Sequence, residues 1–450
     1  MCEAFGAYGW NEGLKAMKWI ADSLMTRGVN YIVPHAFNPH AFPDWDCPPH
    51  FYAQGHNPQF RYFHLLSDYM NRVMSIFRDG IYPAKVGIFY PAETEWAGTY
   101  MPIEKPCREL TEHQISFDIV TRDYLKQAVI QEDVYCINGN CFEVLVFPAG
   151  KYLPGDLLPV LKQMIDRHIR IIFLQEFPDT VLECRNNELW REVQAGSETC
   201  PLEQLGSCLC TCRALELDCE QKDLAVGEYV RNGMHFYMLF NESVENTLDM
   251  KIQFRENGFI YRYDAMEDTL YPAGTDQIRL TPYQSCIYVV SEEKIEAADA
   301  DCEIPVDYEE FPMPEHWTVE FADSFSYPNF KETVDLHGLE FVHMVEGYEK
   351  KAGTVRYSAK IQIPRMKKIL LDLGNVYETA EVFGNGISAG VRLCKPYVFD
   401  LTYSLKEGLN QLSIEVTNTL GTEVRDALSH YLPIEPFGIE GEVRLLVEKI

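Results

Sequence analysis

The first thirty-five residues narrow what this chain can fold into more than any other stretch. Cys2-Glu3-Ala4 reads as the end of a strand with a carboxylate at its tip, followed by a Gly/aromatic loop, Phe5 to Trp10. Leu14, Met17, Ile20, Ala21 and Leu24 then recur at helical spacing, with Asn11 as the expected N-cap. A short apolar run, Val29 to Val33, ends in Pro34-His35. Strand, helix and strand in succession give a parallel pair, and two parallel strands cannot bury both faces and both edges. The unit is therefore expected to be stable only when docked, with the α/β region that follows as the expected partner.

Glu3 and His35 sit at the C-terminal ends of their strands, where (β/α)₈ barrels carry their chemistry. A complete barrel takes about 250 residues, and here only residues 1–80 belong to one. The expectation is the C-terminal remnant of a TIM barrel, in an N-terminally truncated chain. Within it, residues 36–60 form a Pro/His/aromatic loop, and a helix is expected from about Phe60 to Phe77. A loop of that length marks function or disorder, and its density of aromatic residues argues against disorder.

Residues 81–200 alternate strands (near Lys85 to Tyr90, Asp118 to Val120, Glu143 to Phe147, Ile169 to Leu174) with helices (near Glu104 to Gln114, Tyr124 to Ile130, Leu157 to Arg167). This is a doubly wound, flavodoxin-like pattern. Its first strand is followed by FYPAETEWAG, with no Gly-rich phosphate fingerprint, so nucleotide binding is disfavoured. Residues 213–293 read as a small antiparallel β-sandwich. An acidic linker is expected at 294–314, and residues 315–450 show the many short alternating strands of a jelly-roll β-sandwich. The fold class is multidomain, α/β plus β.

The formal charge of −29 argues against nucleic acid or an anionic membrane as partner. No stretch is long and apolar enough to span a membrane, and the start lacks the pattern of a secretory signal. Fourteen cysteines are scattered. Cys208, Cys210 and Cys212 alternate as on a strand and lack C-x₂-C zinc spacing. Buried, reduced thiols fit a cytoplasmic protein. No metal and no cofactor are expected.

LLDLGNVYETAEVFGNGISAG, PYVFDLTYSLKEGLNQLSIEVTNTL and EPFGIEGEVRLLV carry a further signal. Asp372 to Gly374, Asn385-Gly386, Pro396 to Asp400 and Leu405 to Asn410 resemble the galactose-binding-like, sugar-binding domain of glycoside hydrolase family 2. CEAFGAYGW, MKWIADSLMTRGVN and VPHAFNP are similar to the end of the catalytic barrel in large bacterial α-L-rhamnosidase-like and β-galactosidase-like proteins. The resemblance implies a glycoside hydrolase acting on oligosaccharides or plant polysaccharide side chains, with carbohydrate as partner and room for a homo-oligomer. It places Glu3 at the end of barrel strand seven, the nucleophile position in many retaining glycosidases, and His35 at the end of strand eight. Strands one to six, with the acid/base carboxylate expected on strand four, have no counterpart here.

Glycoside hydrolysis needs two carboxylates flanking the bond. Glu3 is the catalytic candidate, and Asp44, Asp46, Glu93 and Glu95 are other loop acids, none with a spacing that demands the partner role. Tyr8, Trp10, Trp45 and Trp96 could stack on pyranose faces, and His35 and His50, with His40 and His56, could donate to hydroxyls. Each aromatic taken singly reads more readily as core than as a ligand. Asn385-Gly386 reads as a hairpin turn, and Asp400 and Asn418 as turn formers. The alternative function is a non-catalytic carbohydrate-binding or assembly protein derived from such an enzyme.

Overall fold

The computed structural model describes residues 1–183, 187–275, 277–298, 308–339, 348, 350–430 and 432–448. Strand β1 (Cys2–Ala4) pairs in parallel with β2 (Ile32–Pro34), Glu3 opposite Val33. Helix α1 (Leu14–Thr26) joins them, and α2 (Phe63–Arg78) follows the long loop. Asn11 does not cap α1. The helix starts later, at Gly13, and the Leu14 amide is satisfied from afar by Gln59 Oε1 at 2.8 Å. Asn11 instead donates to the carbonyls of Ser429 and Leu432.

The apolar stripe of α1 is buried as its periodicity requires, but Lys15, Lys18, Asp22 and Thr26 are buried too. This helix is enclosed on two sides. Lys18 Nζ lies 2.7 Å from Asp22, whose other oxygen accepts the Tyr69 hydroxyl at 2.5 Å. Such pairing is what lets charged groups leave water.

The parallel pair docks where the sequence did not point. Leu14, Met17, Leu66, Met70, Val73 and Phe77 pack on Tyr229, Phe236, Met238, Ile287 and Val289, which belong to the third region and not to the expected α/β region. Those residues lie on one face of a five-stranded antiparallel sheet, ordered Leu224–Arg231, Met234–Asn241, Ser285–Ser291, Phe259–Asp264, Thr269–Pro272. The opposite face, with Leu224, Tyr237, Leu239 and Tyr288, is covered by Leu248, Met250, Ile252 and Phe254 from short strand pairs. Burial on both faces explains why Met234–Asn241 reads as an almost unbroken apolar run.

The second region is a five-stranded parallel sheet, ordered Glu198–Cys200, Arg170–Leu174, Val144–Phe147, Val86–Phe89, Phe117–Val120. Its two apolar faces carry separate cores. The helix expected to Ile130 stops early, spanning Arg122–Lys126. It gives way to a three-stranded antiparallel sheet, Val129–Gln131, Val134–Ile137 and Asn140–Phe142. Asn138-Gly139, both at positive φ, makes its second turn. Cys136 and Cys141 are bonded across that turn, which corrects the expectation of reduced thiols. Cys47, Cys210 and Cys219 are exposed rather than buried. Cys208, Cys210 and Cys212 lie on no strand. They belong to a helix Leu205–Cys208 and a 3₁₀ turn Cys210–Cys212, where Leu205, Leu209 and Cys212 cap the parallel sheet at helical spacing.

The last region packs a six-stranded sheet against a four-stranded one around a single core. Thr354–Ile363 and Gly408–Thr417 are its central pair. Asn385 and Gly386, at φ 51° and 80°, turn the hairpin between Thr379–Gly384 and Ile387–Arg392 as expected. Asp400 accepts the Thr402 amide in a local turn, whereas Asn418 reaches back to the Gly353 amide at 2.8 Å. Of the expected linker, residues 299–307 lie outside the described residues. Glu309–Phe311 is a strand on the four-stranded sheet, so the last region begins inside that stretch. Among the described residues no helix is long and apolar enough to cross a membrane.

Phe77 is fully buried and stacks on Tyr229, ring centres 3.9 Å apart. Phe77→Ala is expected to cost about 3–5 kcal/mol, read by denaturant unfolding. A loss under about 1 kcal/mol would mean that α2 does not depend on this interface.

Candidate functional site

Glu3 is the last residue of β1 whose side chain points outward, 71% exposed. Beyond it, Phe5 and Ala7 both adopt positive φ (76° and 66°), a region that costs side-chain-bearing residues energy. Phe5 is fully buried, which holds the backbone there. A Cβ on Gly6 would lie 2.8 Å from His35 Cγ, so the imidazole rests on bare backbone.

His35 extends the ladder, its amide donating to Ala4 O at 2.8 Å. Its ring bridges two groups. Nε2 lies 2.9 Å from the Cys47 carbonyl and Nδ1 lies 3.2 Å from Glu3 Oε1. A carbonyl only accepts, so Nε2 carries a proton and a second proton must lie between Nδ1 and the carboxyl for that contact to be a hydrogen bond.

Next to it, the buried His50 ring is centred 5.3 Å from that of His35, with Nε2 2.6 Å from Asp46 O and 3.8 Å from Asp44 Oδ2. Asp44 accepts from the Asp46 amide at 3.1 Å and from Asn38 at 2.6 Å, and lies 3.0 Å from His40 Nδ1. The Asp46 amide, helped by His40, His50 and Asn38 against some desolvation, holds its carboxyl below the usual value. The loop is thus organised around Asp44, and aromatic pairs complete it. Phe42 stacks on His56 at 4.1 Å, and Phe37 on Tyr52 at 5.1 Å.

The structure brings together Glu3, His35 and His50, with Asp44 behind them. Tyr8 is half-buried on the loop between β1 and α1, and Trp45, next to Asp44 in sequence, is 56% exposed. Trp10 is no stacking platform. It is 2% exposed and packs edge-on against Phe42 within a small apolar cluster that includes Leu420 of the last region. Trp96, 82% exposed, is carried by a helix of the parallel-sheet region, Ala92–Ala97, and no described contact joins it to Glu3.

Sequence reasoning missed what stands behind the loop. The Trp10 amide donates to Asp426 at 3.0 Å. Lys15 lies 3.4 Å from Glu378 and pairs closely with Glu435. Gln59 Nε2 donates to Thr417 O at 3.2 Å, and Arg61 reaches Thr354 and Thr417 hydroxyls at 2.9 Å. Burial pushes the Glu378 carboxyl up to about 7, with Lys15 opposing and Glu435 adding to the rise. Burial also raises Glu12. These contacts join residues 293 to 420 positions apart, and no local spacing announces them.

Comparisons with known proteins agree with this architecture. No family model matches the chain. A provisionally named β-glucuronidase of Formosa agariphila is 33% identical over 107 residues, 23% of this chain and 9% of its own. The rhamnosidase of Novosphingobium sp. PP1Y superposes on 98% of this chain with a TM-score of 0.71 at 16% identity. The chain spans about half of that enzyme, 47%. A β-galactosidase from Bacillus circulans sp. alkalophilus aligns with 65% of this chain and 55% of its own, at 12% identity and a TM-score of 0.47. The chain thus shares its fold with the corresponding part of a glycoside hydrolase.

Two outcomes test the site's supports. Asp44→Asn is expected to loosen residues 36–59 and speed their cleavage several-fold in limited proteolysis; an unchanged cleavage rate would show that the aromatic pairs suffice. For Glu378, the folded chain holds a proton between the ordinary 4.5 and about 7 that the unfolded chain has lost. Stability relative to Glu378→Gln should therefore fall as pH rises through that window, by up to about 1.4 kcal/mol per pH unit. Parallel pH profiles in denaturant unfolding would contradict this.

Proposed function

We propose that this chain forms part of a glycoside hydrolase, with Glu3 as one of its two catalytic carboxylates. The observation that carries the reading is the exposed Glu3–His35 pair at adjacent parallel strand ends. Strained backbone beside that pair is a second support, because strain of this kind clusters at active sites. The shared fold with a rhamnosidase, and the name of the Formosa relative, support a carbohydrate as substrate.

Glu3 serves as nucleophile or base when ionised. His35, held by Cys47, sets its orientation, and the exposed Trp45, beside Asp44 in the same loop, offers an aromatic face on which a sugar ring can stack. Asp44 anchors His40, His50 and Asn38, and its oxygens are engaged. It is therefore an organiser of the loop and not the acid partner. The second carboxylate belongs to the part of the rhamnosidase fold that this chain does not span. The flavodoxin-like, sandwich and jelly-roll regions act as scaffold, with a sugar-binding role open to the last. A second reading is a carbohydrate-binding protein without turnover, supported by the exposed aromatic face of Trp45.

The test is hydrolysis of aryl α-rhamnosides, β-galactosides and β-glucuronides by the purified chain and by Glu3→Gln. Turnover that falls at least about a hundredfold in the variant establishes the role. Turnover that persists in it removes Glu3 from the chemistry. If neither form turns over, sugar binding that Trp45→Ala weakens supports the second reading, and no binding at all overturns both.

A further inference from the structure

In the small sandwich, far along the chain from Glu3, three potential metal ligands come together. Glu228 on Leu224–Arg231 and His235 on Met234–Asn241 project from the same sheet face, and Glu256 follows the facing strand Ile252–Phe254. The ligand atoms of all three lie within 4.8 Å of one another. Glu228 is 5% exposed. His235 Nδ1 is buried and makes no hydrogen bond, standing 3.7 Å from Glu228 Oε1 and 3.5 Å from Glu256 Oε1.

Those separations are too long for hydrogen bonds. They are close to the edge of a tetrahedron around an ion with bonds of about 2.1 Å, which is about 3.4 Å. The carboxylates are also oriented from behind. The Tyr237 hydroxyl donates to Glu256, lies 3.5 Å from Glu228, and is itself fixed against Phe254. Outer groups that aim carboxylates are the usual support of a metal site. We infer that Glu228, His235 and Glu256 bind one divalent ion of the zinc class, with solvent in the fourth position. One imidazole and two carboxylates suit Zn²⁺ or Co²⁺, whereas Ca²⁺ asks for six to eight oxygens. Bound there, the ion would tie the facing layers of the sandwich together. This inference is independent of the proposed glycosidase chemistry.

The described residues contain one other such cluster, the exposed Glu315, His316 and His337, and the test must separate the two. The full chain, stripped with EDTA, is titrated with ZnCl₂ by equilibrium dialysis and thermal unfolding, and with CoCl₂ by visible absorption. Expected are one ion per chain and a raised unfolding midpoint. Affinity should weaken at least about tenfold in His235→Ala and in the milder Glu256→Gln, while His337→Ala leaves it unchanged. No saturable binding below millimolar Zn²⁺, binding unaffected by both site variants, or binding lost in His337→Ala would overturn the inference. So would a thiolate charge-transfer band with Co²⁺, which would assign the metal to cysteines.

Discussion

Lys15 leaves the first turn of α1 on the side away from the apolar stripe and is nonetheless buried, between Glu378 and Glu435 of the last region. Desolvation alone would lower its pKa, but the two carboxylates raise it, so it stays charged in the interior. Around it, Gln59 spans from the Leu14 amide to Thr417 O, and Arg61 reaches Thr354 and Thr417. The two-stranded parallel unit is thereby clamped between the antiparallel sheet on one side and the last region on the other. Breaking one partner of such a buried pair strands the other charge, which is why these contacts hold α1 in one place even if they add little net stability.

The position of Glu3 follows from that clamp. β1 has a single hydrogen-bonded neighbour, and the loop after it is held at Gly9, Trp10 and Asn11 by residues 426–432. A strand end so thinly paired would fray in isolation. Here the last region steadies that strand end, so the position of Glu3 depends on residues more than four hundred positions along the chain.

What could be read from the sequence was what local periodicity encodes. The stripe of α1, the parallel strands between Val86 and Leu174, and the alternation of Thr354–Ile363 all appear where their patterns place them. Asn138-Gly139 is a local hairpin signal as well, beyond the helix expected to end near Ile130. Glu3, His35 and His50 could be grouped because strand ends and a dense loop gathered them. Trp10 misled because burial is not written in an aromatic residue, and Lys15 gave no signal because a buried lysine on a helix looks like a solvated one until its distant partners are known. The Gln59 cap is the same case: an amide forty-five residues away did what Asn11 was placed to do.

The proton count at Glu3 links this geometry to chemistry. With Nε2–H of His35 committed to the Cys47 carbonyl, a hydrogen bond at Nδ1 needs one further proton, on the ring or on Glu3. If the imidazole carries two protons, Glu3 is ionised and held by a charge-assisted bond, the form a nucleophile or base requires. If it carries one, Glu3 either holds the proton and donates to Nδ1, or is ionised and makes no hydrogen bond there. Gly6 lets the ring lie against bare backbone, and Glu3 itself is 71% exposed. Phe5 and Ala7 hold positive φ beside this pair, a backbone cost of the kind that gathers at functional sites.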